Sequence, residues 1–247
     1  MAAVPLCLSG ATRRVRDRRG EFTVFEDLDL TVEEGELFVL LGPSGCGKST
    51  LLRVIAGLDP LDAGRVDIAP GAHGRDVGIV FQQPLLLPWL TVTENVALGL
   101  RYASNRGARR PGVVDETLEA FGLRDLGDAY PDELSGGQAQ RVSLARTVVT
   151  DPRVILLDEP FAALDPLTRR AMQQWLQDVQ ARLGLTVVLV THDVDEAVLL
   201  GHRVALMSPS PGRICRHWQF GRERREPAHL AVARASVIDA YADLATA

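Results

Sequence analysis

Gly42-Pro43-Ser44-Gly45-Cys46-Gly47-Lys48-Ser49-Thr50 is the stretch of the sequence that decides the fold. It matches the phosphate-binding pattern G-x-x-x-x-G-K-[ST] at every fixed position. An apolar run at 37–41 comes before it and is typical of a buried strand, and an apolar-periodic segment at 51–56 comes after it and is typical of a helix. The order of strand, glycine loop and helix predicts a nucleotide-phosphate site rather than a loop of ordinary composition.

The residue types in this glycine loop suit the chemistry of phosphate binding. Glycines let backbone N–H groups approach phosphate oxygens, and the helix that follows points its positive end at the same anion. Lys48 adds a positive charge for β- and γ-phosphates, and the hydroxyl of Ser49 is a suitable Mg²⁺ ligand. We therefore expect residues 42–50 to bind a nucleoside triphosphate together with Mg²⁺.

Length, charge and cysteine content narrow the class of protein. A chain of 247 residues suits one domain, or one domain with a small attached lobe. The net charge of −5 argues against nucleic-acid binding through bulk charge. No apolar run approaches the roughly 18 residues that a membrane span needs, and the N-terminus makes a poor signal peptide because its arginines follow the apolar residues. Three cysteines without metal spacing predict a reducing compartment and no disulfides.

Polar residues follow two further apolar segments that are typical of buried strands. The first segment, 154–157, ends in Asp158 and Glu159, and the second, 186–191, leads to His192. Ligands of open α/β sheets bind at the carboxyl ends of strands. In that position Asp158 can hold Mg²⁺, Glu159 can activate water, and His192 is better explained as a phosphate contact than as a structural histidine.

Three other segments have weaker signals. Ser135 is a good N-cap for a helix that runs to about residue 150, and this Ser/Gly-rich helix start is a second possible anion site. The basic run 13–19 fits a solvated hairpin tip, or a position near nucleotide phosphates or anionic lipid. The apolar run 85–90 fits either the core or a docking surface for an apolar partner.

Together these motifs resemble the ATP-binding subunit of ABC transporters, from about Phe22 to Gly212. The resemblance rests on the order of six motifs, which are the loop 42–50, Gln82, the signature Leu134-Ser135-Gly136-Gly137-Gln138, Asp158-Glu159, Ala163-Leu164-Asp165, and His192. It implies an α/β fold with a P-loop NTPase parallel-sheet core, an N-terminal antiparallel β lobe and an inserted α-helical subdomain. The implied ATPase domain spans 1–217, with its helical subdomain at about 90–150, and 218–247 form a short tail with one helix.

The resemblance also implies a role for each motif residue. Glu159 would be the general base for water, and His192 would read the γ-phosphate. Gln82 would sense Mg²⁺ and the attacking water, and would couple to the membrane partner. The metal ligands would be Ser49, Gln82 and Asp158.

Family resemblance further implies a head-to-tail homodimer. Each ATP would lie between residues 42–50 of one subunit and Ser135–Gln138 of the other, and Asp165 would report across the same interface. The family usually stacks an aromatic residue on adenine, and the register here leaves Phe22 or Arg19 for that position. The ATP-contacting set would therefore be Phe22, Gly42, Pro43, Ser44, Gly45, Cys46, Gly47, Lys48, Ser49, Thr50, Ser135, Gly136, Gly137, Gln138 and Asp165.

Two segments resemble the nitrate, sulfonate and taurine importer subgroup, namely residues 81–92 and 165–169. The subgroup implies a bacterial importer motor at the cytoplasmic face of the inner membrane, a permease that docks near Gln82–Leu90, and a separate solute-binding protein. An exporter-type cassette is the near alternative, because its ATP site is the same. A DNA-repair ATPase would usually place a coiled coil or zinc module between the phosphate loop and the signature, where this chain has only a helical lobe.

Overall fold

The computed structural model describes residues 5–17, 20–69, 77–101, 110–222 and 227–246. The chain divides into two compact units, one formed by 1–68 with 186–247 and the other by 69–185. Within the described residues, no helix has the length and apolar character that crossing a membrane requires. The predicted boundary between an ATPase domain and a tail at 217/218 stays a prediction.

The first unit contains an antiparallel three-stranded sheet, in the order β2-β1-β4. Its strand β2 alternates in burial at its end, where Leu28, Leu30 and Val32 are buried and the residues between them are exposed. Such alternation is the pattern of a sheet with one face on the core. The strands of this sheet are β1 (Leu6–Asp17), β2 (Gly20–Val32) and β4 (Ala63–Ile68).

The same unit contains a second group of strands, in the order β7-β3-β8-β9. Strand β3 is parallel to both of its neighbours and is buried at all five positions, which explains its unbroken apolar sequence. The strands are β3 (Leu37–Leu41), β7 (Val187–Thr191), β8 (Arg203–Met207) and the antiparallel β9 (Ile214–Gln219). The helices are α1 (Lys48–Ile55), α6 (Val194–Leu200) and α7 (Pro227–Thr246), and α7 packs on α6.

The second unit pairs two parallel strands and carries four helices. The strands are β5 (Val77–Val80) and β6 (Val154–Asp158). Helices α2 (Val92–Leu98), α3 (Val113–Ala120) and α4 (Gly136–Val148) pack on one another, and α5 (Pro166–Leu183) follows β6. Short 3₁₀ turns lie at Arg124–Leu126 and Pro131–Glu133. The antiparallel lobe, the parallel strands and the helical insertion all match the predicted fold class.

Candidate nucleotide site

The glycine loop joins the end of β3 to the start of α1, as the sequence predicts. Gly47 is the N-cap of α1 and has a φ of 105°, and a Cβ added there would meet Val24 Cγ1 at 2.9 Å. A Cβ on Gly42 would meet the carbonyl oxygen of Met207 at 2.8 Å. Both positions therefore require glycine, one for its backbone conformation and the other for close approach of a neighbouring strand.

Lys48 is the only lysine in the sequence. Its side chain is buried, and Nζ donates to the carbonyl oxygens of Gly42 at 2.8 Å and Pro43 at 2.9 Å. The first turn of α1 carries no acidic residue and Gly47 provides no side-chain cap. The ammonium group and the positive end of α1 therefore act at the same place, which is the arrangement that an anion site needs.

Cys46 is a buried thiol within the same loop. Burial raises the pKa of the Cys46 thiol, and the nearby charge of Lys48 opposes this shift without reversing it. A thiol at the start of a helix beside a cation usually has a lowered pKa. Here desolvation is the larger effect, so Cys46 is a neutral packing residue at neutral pH.

His192 lies at the same edge of the strands as the glycine loop. Strand β7 runs parallel to β3 with Leu41 paired to Thr191, so Gly42 and His192 both follow directly after paired residues. The backbone N–H of Gly42 donates to the carbonyl oxygen of Thr191 at 3.2 Å, and His192 itself is exposed. The structure therefore brings two of the predicted site segments together within the first unit.

Asp158 and Gln82 share a strand edge in the second unit. Strands β5 and β6 are parallel with Val80 paired to Leu157, so the two segments that follow them leave the same edge. Glu159 has a φ of 44°, which is rare for a residue with a side chain and costs on the order of 1 kcal/mol. Backbone strain at the residue that follows β6 is what we expect where function requires one particular side-chain position.

The signature segment caps α4 with a complete capping box. Ser135 Oγ accepts from the backbone N–H of Gln138 at 3.3 Å, and Gln138 Oε1 accepts from the backbone N–H of Ser135 at 2.8 Å. Ser135 and Gly136 are exposed, and a Cβ on Gly137 would meet Thr168 Cγ2 at 3.0 Å. The start of α4 is thus an exposed helix end that lies close to the start of α5.

Asp165 caps that neighbouring helix α5. Its Oδ1 accepts from the backbone N–H groups of Leu167 and Thr168, each at 3.1 Å. Hydrogen bonds from Thr168, with a further one from Leu167, hold the pKa of the Asp165 carboxyl below its ordinary value. Asp165 thus begins the helix whose Thr168 lies close to Gly137 of the signature, and its role at a dimer interface stays a prediction.

Phe22 is the one of the two candidates for stacking on adenine that lies within the described residues. Phe22 lies on β2 opposite Val15, and 46% of its surface is exposed, so its ring is open to a ligand. The predicted half-burial of β2 begins only at Thr23. Arg19, the other candidate, lies outside the described residues.

None of residues 85–90 is buried, so the interpretation of this run as core is wrong, and the docking surface stays a prediction. Leu85 and Trp89 expose 55% and 69% of their surfaces. Leu85 also has a φ of 49°, which turns the backbone sharply. We call residues 84–90 the apolar loop.

Two buried or half-buried polar side chains hold the apolar loop in shape. Asn95 on α2 is fully buried, accepts from the backbone N–H of Leu87 at 2.9 Å and donates to the carbonyl oxygens of Leu87 and Leu90 in the loop and of Thr91 just after it. Arg146 on α4 donates to the carbonyl oxygens of Pro84 and Leu85, both at 2.8 Å. Sequence reasoning missed both residues, although a lone asparagine in the apolar helix α2 is a signal that could have been noticed.

Comparison with known proteins decides the family. A model of the ABC transporter family matches residues 25–162, more than half of the chain. The chain belongs to the ABC transporter family.

Curated relatives of the chain in this family are import ATP-binding proteins. An aliphatic sulfonates import ATP-binding protein of Burkholderia cenocepacia is 43% identical over 236 residues, covering 93% of this chain and 86% of the relative. A taurine import ATP-binding protein of Escherichia coli O157:H7 is 44% identical, covering 82% and 80%. A spermidine/putrescine import ATP-binding protein of Chromobacterium violaceum is 47% identical, but covers only 56% of that longer relative.

Solved cassettes of the ABC family have the same fold. A dimeric ATP-binding cassette in a post-hydrolysis state with ADP and Pi has a TM-score of 0.71 and 33% identity, covering 87% of this chain and 98% of that chain. A second dimeric structure, of a bacterial ABC transporter cassette, has the same TM-score and 32% identity. The α/β fold class that the motifs implied is confirmed.

Proposed function

We propose that this chain is the ATP-hydrolysing subunit of a bacterial ABC importer for a small sulfonate- or taurine-like solute. The observation that carries this proposal is the strand-edge geometry, in which Gly42 and His192 leave paired positions of β3 and β7. Import is supported by the names of all three relatives described above. The sulfonate and taurine relatives match over nearly their whole length, which favours their solute class over polyamines.

The residues of the first unit would bind the triphosphate. Lys48 now donates to two loop carbonyls, and the β- and γ-phosphate oxygens would replace these acceptors with charged ones. The backbone N–H groups of the loop and of the start of α1 would surround the same phosphates. His192 would hydrogen-bond the γ-phosphate, and Phe22 would stack on adenine.

The residues of the second unit would act on the attacking water. Glu159 would accept its proton, and the backbone strain at this residue would keep the carboxylate in one position. Gln82 would orient the same water.

The available donors fit Mg²⁺. Ser49, Asp158 and Gln82 offer hydroxyl, carboxylate and amide oxygens, and Mg²⁺ commonly binds through one or two carboxylates plus substrate phosphates. Among the described residues, no group of three or more His, Cys, Asp or Glu side chains is arranged to hold a metal ion by itself. When bound, Mg²⁺ supplies positive charge that stabilises the phosphoryl group during transfer.

Two copies would bind ATP head to tail. The start of α4 is exposed and carries no acidic residue in its first turn, so it can add hydrogen bonds to an ATP molecule that another copy already holds. The dimeric state of the solved relatives supports this arrangement. Asp165 caps α5, whose Thr168 lies close to Gly137, and would contact the same interface.

The apolar loop would dock the permease. Leu85 and Trp89 present apolar surface, while Asn95 and Arg146 hold the backbone that carries them. A preorganised apolar surface of this kind lowers the ordering cost of binding. The chain would thus lie at the cytoplasmic face of the inner membrane and would leave solute selection to the permease and a solute-binding protein.

Replacing Glu159 tests the hydrolytic role. Glu159→Gln should lower the steady-state rate of ATP hydrolysis by roughly 10²–10⁴-fold, because the amide cannot accept the proton. ATP should still bind and should now hold the protein as a dimer on gel filtration. Retained hydrolysis in this variant would contradict the assignment of the base.

Replacing the exposed apolar side chains tests the transport role. Leu85→Ser with Trp89→Ser should prevent a tagged subunit from recovering a multispan permease from native membranes, while ATP binding is unchanged. Leu58→Ser is a matched control, since Leu58 is also 52% exposed but lies in the other unit. Equal recovery of the permease by all three proteins would refute docking through the apolar loop.

A further inference from the structure

The turn that carries His192 is closed by a ring of hydrogen bonds. The hydroxyl of Thr191 donates to Glu196 Oε2 at 2.6 Å and accepts from the backbone N–H of Asp193 at 3.0 Å. Asp193 Oδ1 in turn accepts from the backbone N–H of Glu196 at 3.1 Å. His192 is therefore flanked on both sides by residues whose polar atoms are bonded to one another.

The ring is buried although His192 is not. Thr191 exposes 1% and Glu196 5% of their surfaces. A buried carboxylate bonded to a hydroxyl is costly to disrupt, because each group left without its partner loses its hydrogen bond and remains out of water. The ring therefore fixes the backbone on either side of an exposed histidine.

Thr191 also connects this turn to the phosphate loop. Its carbonyl oxygen accepts from Gly42 N, while its hydroxyl bonds the side chain of Glu196 on α6. One residue thus links the first glycine of the loop to the helix that follows the histidine. A shift of Thr191 would change the separation between the bound phosphates and His192.

We propose that Thr191 and Glu196 are positioning residues that hold His192 at the distance required to contact the γ-phosphate. The inference rests on the proposed function, in which His192 makes that contact. In this proposal neither residue needs to contact the nucleotide itself. They act through the position of the imidazole, and a misplacement of about 1 Å at a reacting group can cost on the order of 10²-fold in rate.

The central experiment compares Thr191, the last residue of β7, with Thr186, which lies directly before the first residue of β7. Thr191→Val keeps the shape of the side chain and removes both hydrogen bonds of the hydroxyl. Thr186 immediately precedes β7 at its other end, is equally buried at 5% exposure, and accepts from Gly35 N at 2.9 Å. Thr186→Val is therefore the matched control for the loss of a buried hydroxyl.

Steady-state kinetics of ATP hydrolysis, measured on the purified full-length variants, should distinguish them. Thr191→Val and Glu196→Ala should lower kcat for ATP hydrolysis by roughly 10-fold or more, with KM within about twofold of wild type. Thr191→Ser and Glu196→Gln keep a donor and an acceptor in place and should retain most of kcat. Thr186→Val should lower Tm but leave kcat near wild type. If Thr191→Val and Thr186→Val lower Tm by the same amount and also lower kcat by the same factor, the inference is overturned.

A double variant distinguishes failure of this inference from failure of the proposed function. If Thr191 acts through His192, adding Thr191→Val to His192→Ala should lower kcat no further than His192→Ala alone. A full additional loss would overturn the positioning role while leaving the role of His192 intact. If His192→Ala itself has wild-type kcat, the proposed contact with the γ-phosphate is wrong, and the positioning role fails with it.

A spectroscopic measurement gives a readout without turnover. In Thr191→Val the imidazole NMR signal of His192 should shift or broaden, while in Thr186→Val it should match wild type. An unchanged His192 signal in Thr191→Val would contradict the inference whatever the kinetics show.

Discussion

The starts of helices α1 and α4 both contain glycine and are both candidate anion sites, but they are built differently. Helix α1 begins after Gly47 in a left-handed conformation with no side-chain cap, and Lys48 supplies a full positive charge. Helix α4 begins after Ser135, whose capping box with Gln138 already satisfies two backbone N–H groups. The start of α1 is uncapped and carries a positive charge, while the start of α4 is capped by its own side chains and neutral.

Under the proposed function, this difference would explain why each ATP needs both helix starts. The start of α1 has the charge to bind a triphosphate alone, since charge-assisted hydrogen bonds are roughly twice as strong as neutral ones. The start of α4 has only its remaining N–H groups and its helix dipole, which contribute modestly at an exposed helix end. We therefore expect α1 to control affinity and α4 to control what happens after ATP has bound.

Removing the charge of α1 should have the largest effect. Lys48→Ala should weaken ATP binding roughly 10- to 100-fold, because a hydrogen-bonded charged group contributes about 1.5–3 kcal/mol. Equilibrium ATP titration of the isolated subunit measures this change. Ser135→Ala in the same titration should bind like wild type, and equal weakening by both variants would remove the distinction between the two helix starts.

The next-largest difference between the two helix starts is expected in the free energy of unfolding when Gly47 or Gly137 is replaced by alanine. Gly47→Ala should lower the free energy of unfolding by about 1–3 kcal/mol, since alanine is strained at a φ of 105° and its Cβ would meet Val24 Cγ1 at 2.9 Å. Gly137→Ala would meet Thr168 Cγ2 at 3.0 Å and Met172 at 3.4 Å without a strained φ, and should cost less. Urea denaturation gives both values, and a larger loss in Gly137→Ala would reverse the comparison.

Removing the cap of α4 should have a smaller effect on stability. Ser135→Ala should lower the free energy of unfolding by about 1 kcal/mol, because one N–H group loses its acceptor. Thr91→Ala is a suitable control, since Thr91 forms the same kind of capping box with Glu94 on α2 and should cost a similar amount. Only Ser135→Ala should also slow ATP hydrolysis, and loss of hydrolysis in Thr91→Ala would show that the effect is not local to the signature.

The smallest effect is expected for the thiol of Cys46, just before α1, and it should appear in how the rate of alkylation depends on pH. Because burial raises the pKa of Cys46, its thiolate fraction stays small until the pH exceeds the ordinary thiol value of 9.0. Alkylation should therefore modify the exposed Cys215 first and Cys46 only at more alkaline pH. Mass spectrometry of peptides identifies the site, and rapid alkylation of Cys46 at neutral pH would show that the helix dipole and Lys48 outweigh burial.

The local motifs of this chain were predicted well from its sequence. The glycine loop, the N-cap at Ser135 and the strand before Asp158 depend on residue type and neighbours along the chain, so pattern reasoning found them. One helix in the tail 218–247 was also predicted, and it spans Pro227–Thr246.

Contacts between distant residues were harder to predict. The apolar loop could have been core or surface, and only its hydrogen bonds to Asn95 and Arg146 show how apolar side chains are held outward. The ring of Thr191 and Glu196 was missed because a threonine at the end of a strand and a glutamate in a short helix are ordinary residues there. Their hydrogen bond can be recognised only in the fold, which brings the two side chains together.

Subunit complementation tests the central claim most directly, which is that each ATP is bound by α1 of one copy and α4 of another. Lys48→Ala and Ser135→Arg should each be inactive in ATP hydrolysis when purified alone, since every site of either homodimer is damaged. In a mixture, mixed dimers have one site with an intact Lys48 from one chain and an intact Ser135 from the other. Hydrolysis well above both parent proteins is the predicted result, and a mixture no more active than its parents would contradict the account.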